Sequence, residues 1–154
     1  MTDVDFAWLL GEQAAPSGAL SQPDGGIAPP EVHALIRGIA ADLSARTGGD
    51  VAWLMVVAHE AVGMISFTRI GYSGLPEIGY GVAPLRRGQG HATAAVKALL
   101  PIARGAGYAG LVAETGIDNP ASQSALVRNG FTRTGERDDP EDGPVVQWAI
   151  RFER

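Results

Sequence analysis

The stretch that most constrains this chain is Pro76 to Ala92, Pro-Glu-Ile-Gly-Tyr-Gly-Val-Ala-Pro-Leu-Arg-Arg-Gly-Gln-Gly-His-Ala, which passes from a strand pattern through a basic Gly-rich turn into the apolar helix pattern of Thr93 to Arg104. A helix start leaves its first backbone N–H groups without partners inside the helix and carries the positive end of the helix dipole, so this junction is an anion site. Gly88 and Gly90 remove the side chains that would hold a bulky anion off the backbone, and Arg86 and Arg87 add charge at the rim. A diphosphate fits such a site.

Spacing excludes two familiar diphosphate motifs. A P-loop needs Lys and then Ser or Thr after its last glycine, whereas Gly90 is followed by His91 and Ala92. The dinucleotide fingerprint needs a third Gly or Ala where this chain has Thr93. What remains resembles the acyl-CoA signature of the GNAT superfamily of N-acetyltransferases, Gln/Arg-x-x-Gly-x-Gly/Ala, with Gly88 and Gly90 as its two glycines and Leu85 where the pattern has Gln or Arg. A second block, Asn119-Pro120-Ala121-Ser122-Gln123-Ser124-Ala125-Leu126-Val127-Arg128-Asn129-Gly130-Phe131, resembles the superfamily's Asn-containing helix and its Gly-Phe exit. Two motifs in order, about 30 residues apart, are far harder to obtain by chance than one. The resemblance covers Ile27 to Phe152 and is closest to the branch of ribosomal-protein N-terminal acetyltransferases.

With 154 residues, 45% of them hydrophobic, the chain suits one core, and we read residues 1–154 as one acetyltransferase domain with a variable Gly/Pro-rich loop over 11–30. No apolar run approaches the span of a bilayer, and the start of the chain, with Asp3 and Asp5, lacks a basic segment followed by an apolar one, so a cytoplasmic protein without a membrane partner is expected. The absence of Cys excludes a disulfide framework, a thiolate metal site and a cysteine nucleophile, and three scattered His form no ligand cluster, so no metal is expected. A net charge of −5 argues against nucleic acid and suits cationic partners.

Along the chain, Val4 to Leu10 reads as a first strand, and Pro29-Pro30-Glu31 opens a helix whose apolar face is Val32, Leu35, Ile36, Ile39, Ala40 and Leu43, stopped at Thr47-Gly48. Val51–Ala58 and Ala61–Arg69 form a hairpin about His59-Glu60, followed by a strand from Pro76 to Ala83. Pro101 predicts a bend or a broken last turn in the helix after the basic turn. Tyr108–Thr115, a helix from Pro120 to Asn129, and strands Phe131–Glu136 and Val145–Phe152 complete the pattern, with Arg137 to Pro144 as a loop. The expected fold is α/β (α+β): the GNAT fold, a mixed, mostly antiparallel sheet of six or seven strands flanked by helices, with a splayed central strand pair.

The resemblance implies acetyl-CoA as cofactor, with a pantetheine arm paired to the backbone at Val82 and Ala83, and a diphosphate on Arg86, Arg87, Gly88, Gln89, Gly90, His91 and Ala92. Acyl transfer to an amine needs a proton acceptor, a polarised carbonyl and a stabilised leaving thiolate. Backbone N–H near Val82 and Ala83 serves the carbonyl. Glu77, in a spacing similar to that of the histone acetyltransferases, is the base, with Glu114 its rival; the bland reading makes Glu77 a solvated strand-start carboxylate and Glu114 a backbone-bonded one. The superfamily's general-acid Tyr is replaced by Leu126, which leaves Ser122 to stabilise the thiolate, or merely to cap its helix, and Asn119 to hold the pantetheine amide or serve as the cap. His33 and His59 read as surface residues, and Trp8, Trp53 and Trp148 as packing.

The chain therefore reads as an acetyl-CoA-dependent N-acyltransferase acting on a primary amine, a protein N-terminus or a small molecule, by direct ternary-complex transfer, as monomer or homodimer. The alternative is a non-catalytic acyl-CoA-binding sensor.

Overall fold

The computed structural model describes residues 1–15 and 20–153; positions 16–19 of the expected 11–30 loop and position 154 lie outside it. In chain order its elements are α1 (Asp3–Leu9), α2 (Pro30–Thr47), β1 (Ala52–Val57), β2 (Glu60–Ile70), β3 (Pro76–Val82), a short 3-10 turn (Pro84–Arg86), α3 (His91–Gly105), β4 (Gly110–Gly116), α4 (Pro120–Arg128), β5 (Thr132–Asp139) and β6 (Gly143–Arg151). The strands form one six-stranded sheet in the order β1-β2-β3-β4-β6-β5. β3 and β4 are parallel, while β1–β2, β4–β6 and β5–β6 are antiparallel. This is the expected mixed, mostly antiparallel sheet with helices. The residues divide into two compact units, Met1–Thr68 with Tyr80–His91, and Arg69–Gly79 with Ala92–Arg154.

In the first unit the segment read as a strand, Val4 to Leu10, is helical instead. Thr2 donates its backbone N–H to the Asp5 carboxylate at 2.7 Å, the local capping arrangement that starts a helix, and the apolar run buries Phe6 and Ala7. Arg37 of α2 then anchors α1, taking Asp3 through Nε and Nη2 at 2.6 and 2.8 Å and Glu12 through Nη1 at 3.0 Å. The α2 stripe runs through His33, Ala40 and Leu43, all buried, while Leu35 is exposed. His33, expected at the surface, is 2% exposed.

Its ring donates to the Ala28 carbonyl and its Nδ1 has no partner, so burial holds the imidazole below the usual histidine range and favours the neutral form. A histidine depressed in the folded state contributes stability that is complete above its unfolded value of about 6.5 and is lost as the pH falls through that value toward the folded one. Urea unfolding at pH 7.5 and 5.5 is expected to show the wild type losing more stability across that interval than His33→Gln, which keeps a donor but does not titrate. Equal losses in the two proteins would remove His33 from the pH dependence.

The β1–β2 hairpin turns on Ala58 and His59 rather than His59-Glu60, because Val57 pairs with Glu60 and both turn residues have left-handed φ, 48° and 65°. A two-residue turn of this hand matches the twist of the strands. Ser21, from the long loop, clips onto it, donating its N–H to the His59 carbonyl at 2.9 Å and accepting from the Ala61 N–H at 2.8 Å.

In the second unit α3 buries Val96, Leu99 and Ala103, and runs unbroken through Pro101 to Gly105. Pro101 is exposed, and the cost of its missing N–H does not end the helix, which is held on either side of it by the buried Leu99 and Ala103. β5 extends to Asp139 and β6 begins at Gly143, so the expected loop of Arg137 to Pro144 is a tight turn in which Asp139 Oδ1 accepts from the N–H groups of Glu141 (2.9 Å) and Asp142 (3.0 Å). Trp148 is packed as expected, its indole donating to Thr115 Oγ1 at 2.9 Å inside the core.

Candidate active site

The basic turn has an open backbone. Gly88 and Gly90 sit at φ 77° and 81°, the left-handed region that other residues resist, and a Cβ on either would meet nothing within 4 Å. The turn leads directly into α3 at His91. The flanking arginines are less free than expected. Arg86, expected as a rim charge, is gripped by Glu60 through Nε at 2.7 Å and Nη2 at 3.1 Å, which raises its basicity. Arg87 reaches back to the Val82 carbonyl at 3.3 Å, and the His91 ring lies 3.2 Å from Gln89 Oε1. What the turn offers an anion is chiefly backbone.

Upstream of the turn, Ala83 donates its N–H to the Val62 carbonyl of β2 at 2.7 Å. That donor is taken up by the sheet. Successive N–H groups of an extended strand point to opposite sides, so the Val82 N–H is directed away from β2. β2 approaches closely here because residue 63 is glycine: a Cβ on Gly63 would lie 2.5 Å from the Gly81 carbonyl oxygen and 3.1 Å from the Val82 Cα. Gly63 was not singled out in the sequence, although a lone glycine inside an apolar strand is the signal for close backbone approach.

In the second unit, Glu77 and Glu114 stand on adjacent strands. The parallel β3–β4 ladder pairs Glu77 with Val112 and Ile78 with Ala113, and β3 continues past the last of these pairs to Val82. Glu77 Oε2 takes Arg69 Nε at 2.9 Å and Nη2 at 2.8 Å. Arg69 Nη2 also lies 3.5 Å from Glu114 Oε1, and Arg137 holds Glu114 through Nε and, at 2.9 Å, through Nη2. Glu114 is thus bound by arginine side chains rather than by backbone, and Glu77 is an ion-paired, largely covered carboxylate rather than a solvated one.

Asn119 is the N-cap of α4, its Oδ1 accepting from the Ser122 N–H at 3.2 Å. This brings Asn119 and Ser122 together as expected, and gives the cap to Asn119. Leu126, one further turn and more along, is completely buried, so the position of the superfamily's tyrosine faces the core in this chain. At the other end of α4, Asn129 donates to the carbonyls of Ala125 (2.8 Å) and Thr93 (3.0 Å), tying α4 to the start of α3. Among the described residues no group of His, Cys, Asp or Glu is arranged to hold a metal ion, and no helix is long and apolar enough to cross a membrane.

Fold and turn together define an acetyltransferase class: the sequence model of the acetyltransferase (GNAT) domain matches residues 19–132, and the chain belongs to that family. Similar solved structures include an acetyltransferase from Salmonella typhimurium that modifies the N-terminal serine of the 50S ribosomal subunit protein L7/L12 (25% identity, TM-score 0.66, covering 80% of this chain and 74% of that one). A ribosomal L7/L12 alpha-N-protein acetyltransferase in complex with coenzyme A is 24% identical, with TM-score 0.65 and coverage of 97% and 83%. AAC(6')-Ib in complex with paromomycin and acetyl-CoA shares the fold at 17% identity, with TM-score 0.68 and coverage of 98% and 90%. No curated protein sequence matches the chain.

Proposed function

We propose that the chain transfers the acetyl group of acetyl-CoA to a primary amine, directly and within a ternary complex, since it has no cysteine to carry a covalent acyl intermediate. The observation that carries this is the turn at Gly88 and Gly90, whose left-handed glycines leave open backbone at the start of α3. In this reading the N–H groups from Gly88 to Ala92 hold the diphosphate, Arg87 and the more constrained Arg86 add charge, and the Asn119 side chain meets the pantetheine arm. When bound, the thioester supplies an activated carbonyl. The Val82 N–H orients and polarises that carbonyl, and Glu77 accepts the proton the amine gives up. Ser122 donates a hydrogen bond to the departing sulfur.

The solved neighbours act on or bind a ribosomal protein N-terminus and an aminoglycoside, and an amine at a peptide N-terminus or on a small molecule is the acceptor class that goes with them, with the cytoplasm as the compartment. A second reading, an acyl-CoA-binding sensor without turnover, draws on the buried Leu126 in the tyrosine position. Release of free thiol from acetyl-CoA, measured across a panel of amines and N-terminal peptides, separates the two: acceptor-dependent release supports the enzyme, and tight binding with no release under any acceptor supports the sensor.

With an accepted amine in hand, Glu77→Gln is expected to lower kcat by at least about tenfold and leave acetyl-CoA affinity unchanged by calorimetry. A Gln variant of undiminished kcat returns Glu77 to a structural role.

A further inference from the structure

We infer that Glu60 is a positioning residue for the glycine turn: by gripping Arg86 it fixes the near end of the turn, and Arg86 adds its charge as a strut rather than as a direct phosphate ligand. The inference rests on the reading of that turn as the diphosphate site. The turn has little of its own to hold it. Residues 87–90 are all exposed, and Gly88 and Gly90, at φ 77° and 81°, are of the residue type whose backbone is least restricted. A segment of this kind takes its shape from its two ends. One end is the helix start at His91. The other is the 3-10 turn Pro84–Arg86, closed by the Arg86 N–H donating to the Ala83 carbonyl at 2.9 Å, and tied to β2 by the Ala83 N–H bond to Val62.

Glu60 supplies a second tie to β2. It takes Arg86 Nε at 2.7 Å and Nη2 at 3.1 Å, a two-point grip that fixes a guanidinium in direction as well as in place. Glu60 is a firm post for this purpose. It opens β2 directly after the left-handed pair Ala58 and His59, and it pairs with Val57 across the hairpin. Ser21 secures the backbone on both sides of it, donating to the His59 carbonyl at 2.9 Å and accepting from the Ala61 N–H at 2.8 Å. The Glu60 and Arg86 side chains are 23% and 35% exposed, so water competes with their pairing only in part.

The same geometry argues against Arg86 as a phosphate ligand. All three guanidinium nitrogens have acceptors within the protein, the third being the Leu85 carbonyl, 3.2 Å from Nη1. Asp24 adds a second negative charge to the surroundings of Arg86. Two opposed effects follow when Glu60 is neutralised. A freed Arg86 offers the diphosphate one exposed ion contact, which is worth little. A loosened turn loses the common aim of several backbone N–H groups, and binding must then supply that order itself. The second effect is the larger, so acetyl-CoA binds more weakly even though a negative charge near the anion site has been removed.

The test measures acetyl-CoA Kd by calorimetry for Glu60→Gln, Arg86→Gln, the double variant and Gly90→Val, with folding followed by circular dichroism. Each single Gln variant is expected to weaken acetyl-CoA about three- to tenfold, and the double variant no more than the weaker-binding single one, because both changes break one tie. With a panel amine that supports thiol release, the KM for acetyl-CoA is expected to rise by the same factor while kcat and the amine KM stay unchanged, a split that general destabilisation does not produce. Wild-type or tighter affinity in Glu60→Gln overturns the inference, as do losses that multiply in the double variant or a loss confined to kcat. If Glu60→Gln does not fold, Arg86→Lys decides, since it keeps the charge but not the fork: a loss comparable to that of Arg86→Gln supports the strut, and wild-type affinity overturns it. Undiminished affinity in Gly90→Val instead overturns the reading of the turn beneath it.

Discussion

Gly90→Val is expected to abolish acetyl-CoA binding in a protein that remains folded. Gly90 has φ 81°, and a β-branched residue in the left-handed region is a severe outlier, costing about 1–2 kcal/mol of backbone energy. The protein around it offers no clash, since a Cβ there meets nothing within 4 Å. The valine's branches therefore enter open space, which in the proposed arrangement is where the diphosphate sits. Gly107, at φ 91° and equally unhindered, lies in the turn after α3 and supplies the control: Gly107→Val carries comparable backbone strain and is expected to bind acetyl-CoA normally. Calorimetry and thermal unfolding of the two variants make the comparison. Loss of affinity in both would reduce the effect to general destabilisation, and retention in Gly90→Val would remove the diphosphate from this turn.

The elements that the sequence made legible are those whose pattern is long and whose boundaries carry their own chemistry. α2 begins at Pro30 and ends before a left-handed Gly48, and α4 has Pro120 at its first position with Asn119 as cap. The glycine turn was legible for the same reason, because its conformation is demanded by φ values that few other residues accept. α1 was not, since seven residues with an apolar majority satisfy a strand or a helix equally, and only the Thr2 and Asp5 pairing decides for the helix. His33 was misplaced although the signal was present: His33, Ile36, Ala40 and Leu43 recur at helical spacing and define the covered stripe better than Leu35 does. The partners of the charged residues were out of reach altogether. That Arg86 belongs to Glu60, and Arg69 to Glu77, follows from strand register and turn geometry, which no local pattern encodes. The hairpin was displaced by one residue because its left-handed positions fell to Ala58 and His59, neither of which announces such a turn.

Gly63→Ala is expected to lower both the melting temperature and the affinity for acetyl-CoA, although residue 63 contacts no ligand in the proposed arrangement. An added methyl would fall 2.5 Å from the Gly81 carbonyl oxygen, 2.9 Å from the Met55 sulfur and 3.1 Å from the Val82 Cα. The methionine can swing aside. The other two contacts are backbone of β3, so the strand must move away from β2, and overpacking of this kind costs about 1–3 kcal/mol. For a chain of this size that corresponds to a fall of roughly 2–4 °C for each kcal/mol. The displacement bears on function because it acts at Val82, whose N–H is the proposed donor to the acyl carbonyl, and at the Ala83 N–H bond to Val62 that fixes the strand's exit toward the turn. Gly81→Ala isolates the cause. A Cβ on Gly81 meets nothing within 4 Å, so that variant is expected to keep both stability and affinity even though its carbonyl is the atom that Gly63→Ala strikes. Thermal unfolding and calorimetry on the pair give the answer. If Gly63→Ala matches the wild type in both, β3 accommodates the methyl without moving Val82, and the close approach of β2 is not what positions that N–H.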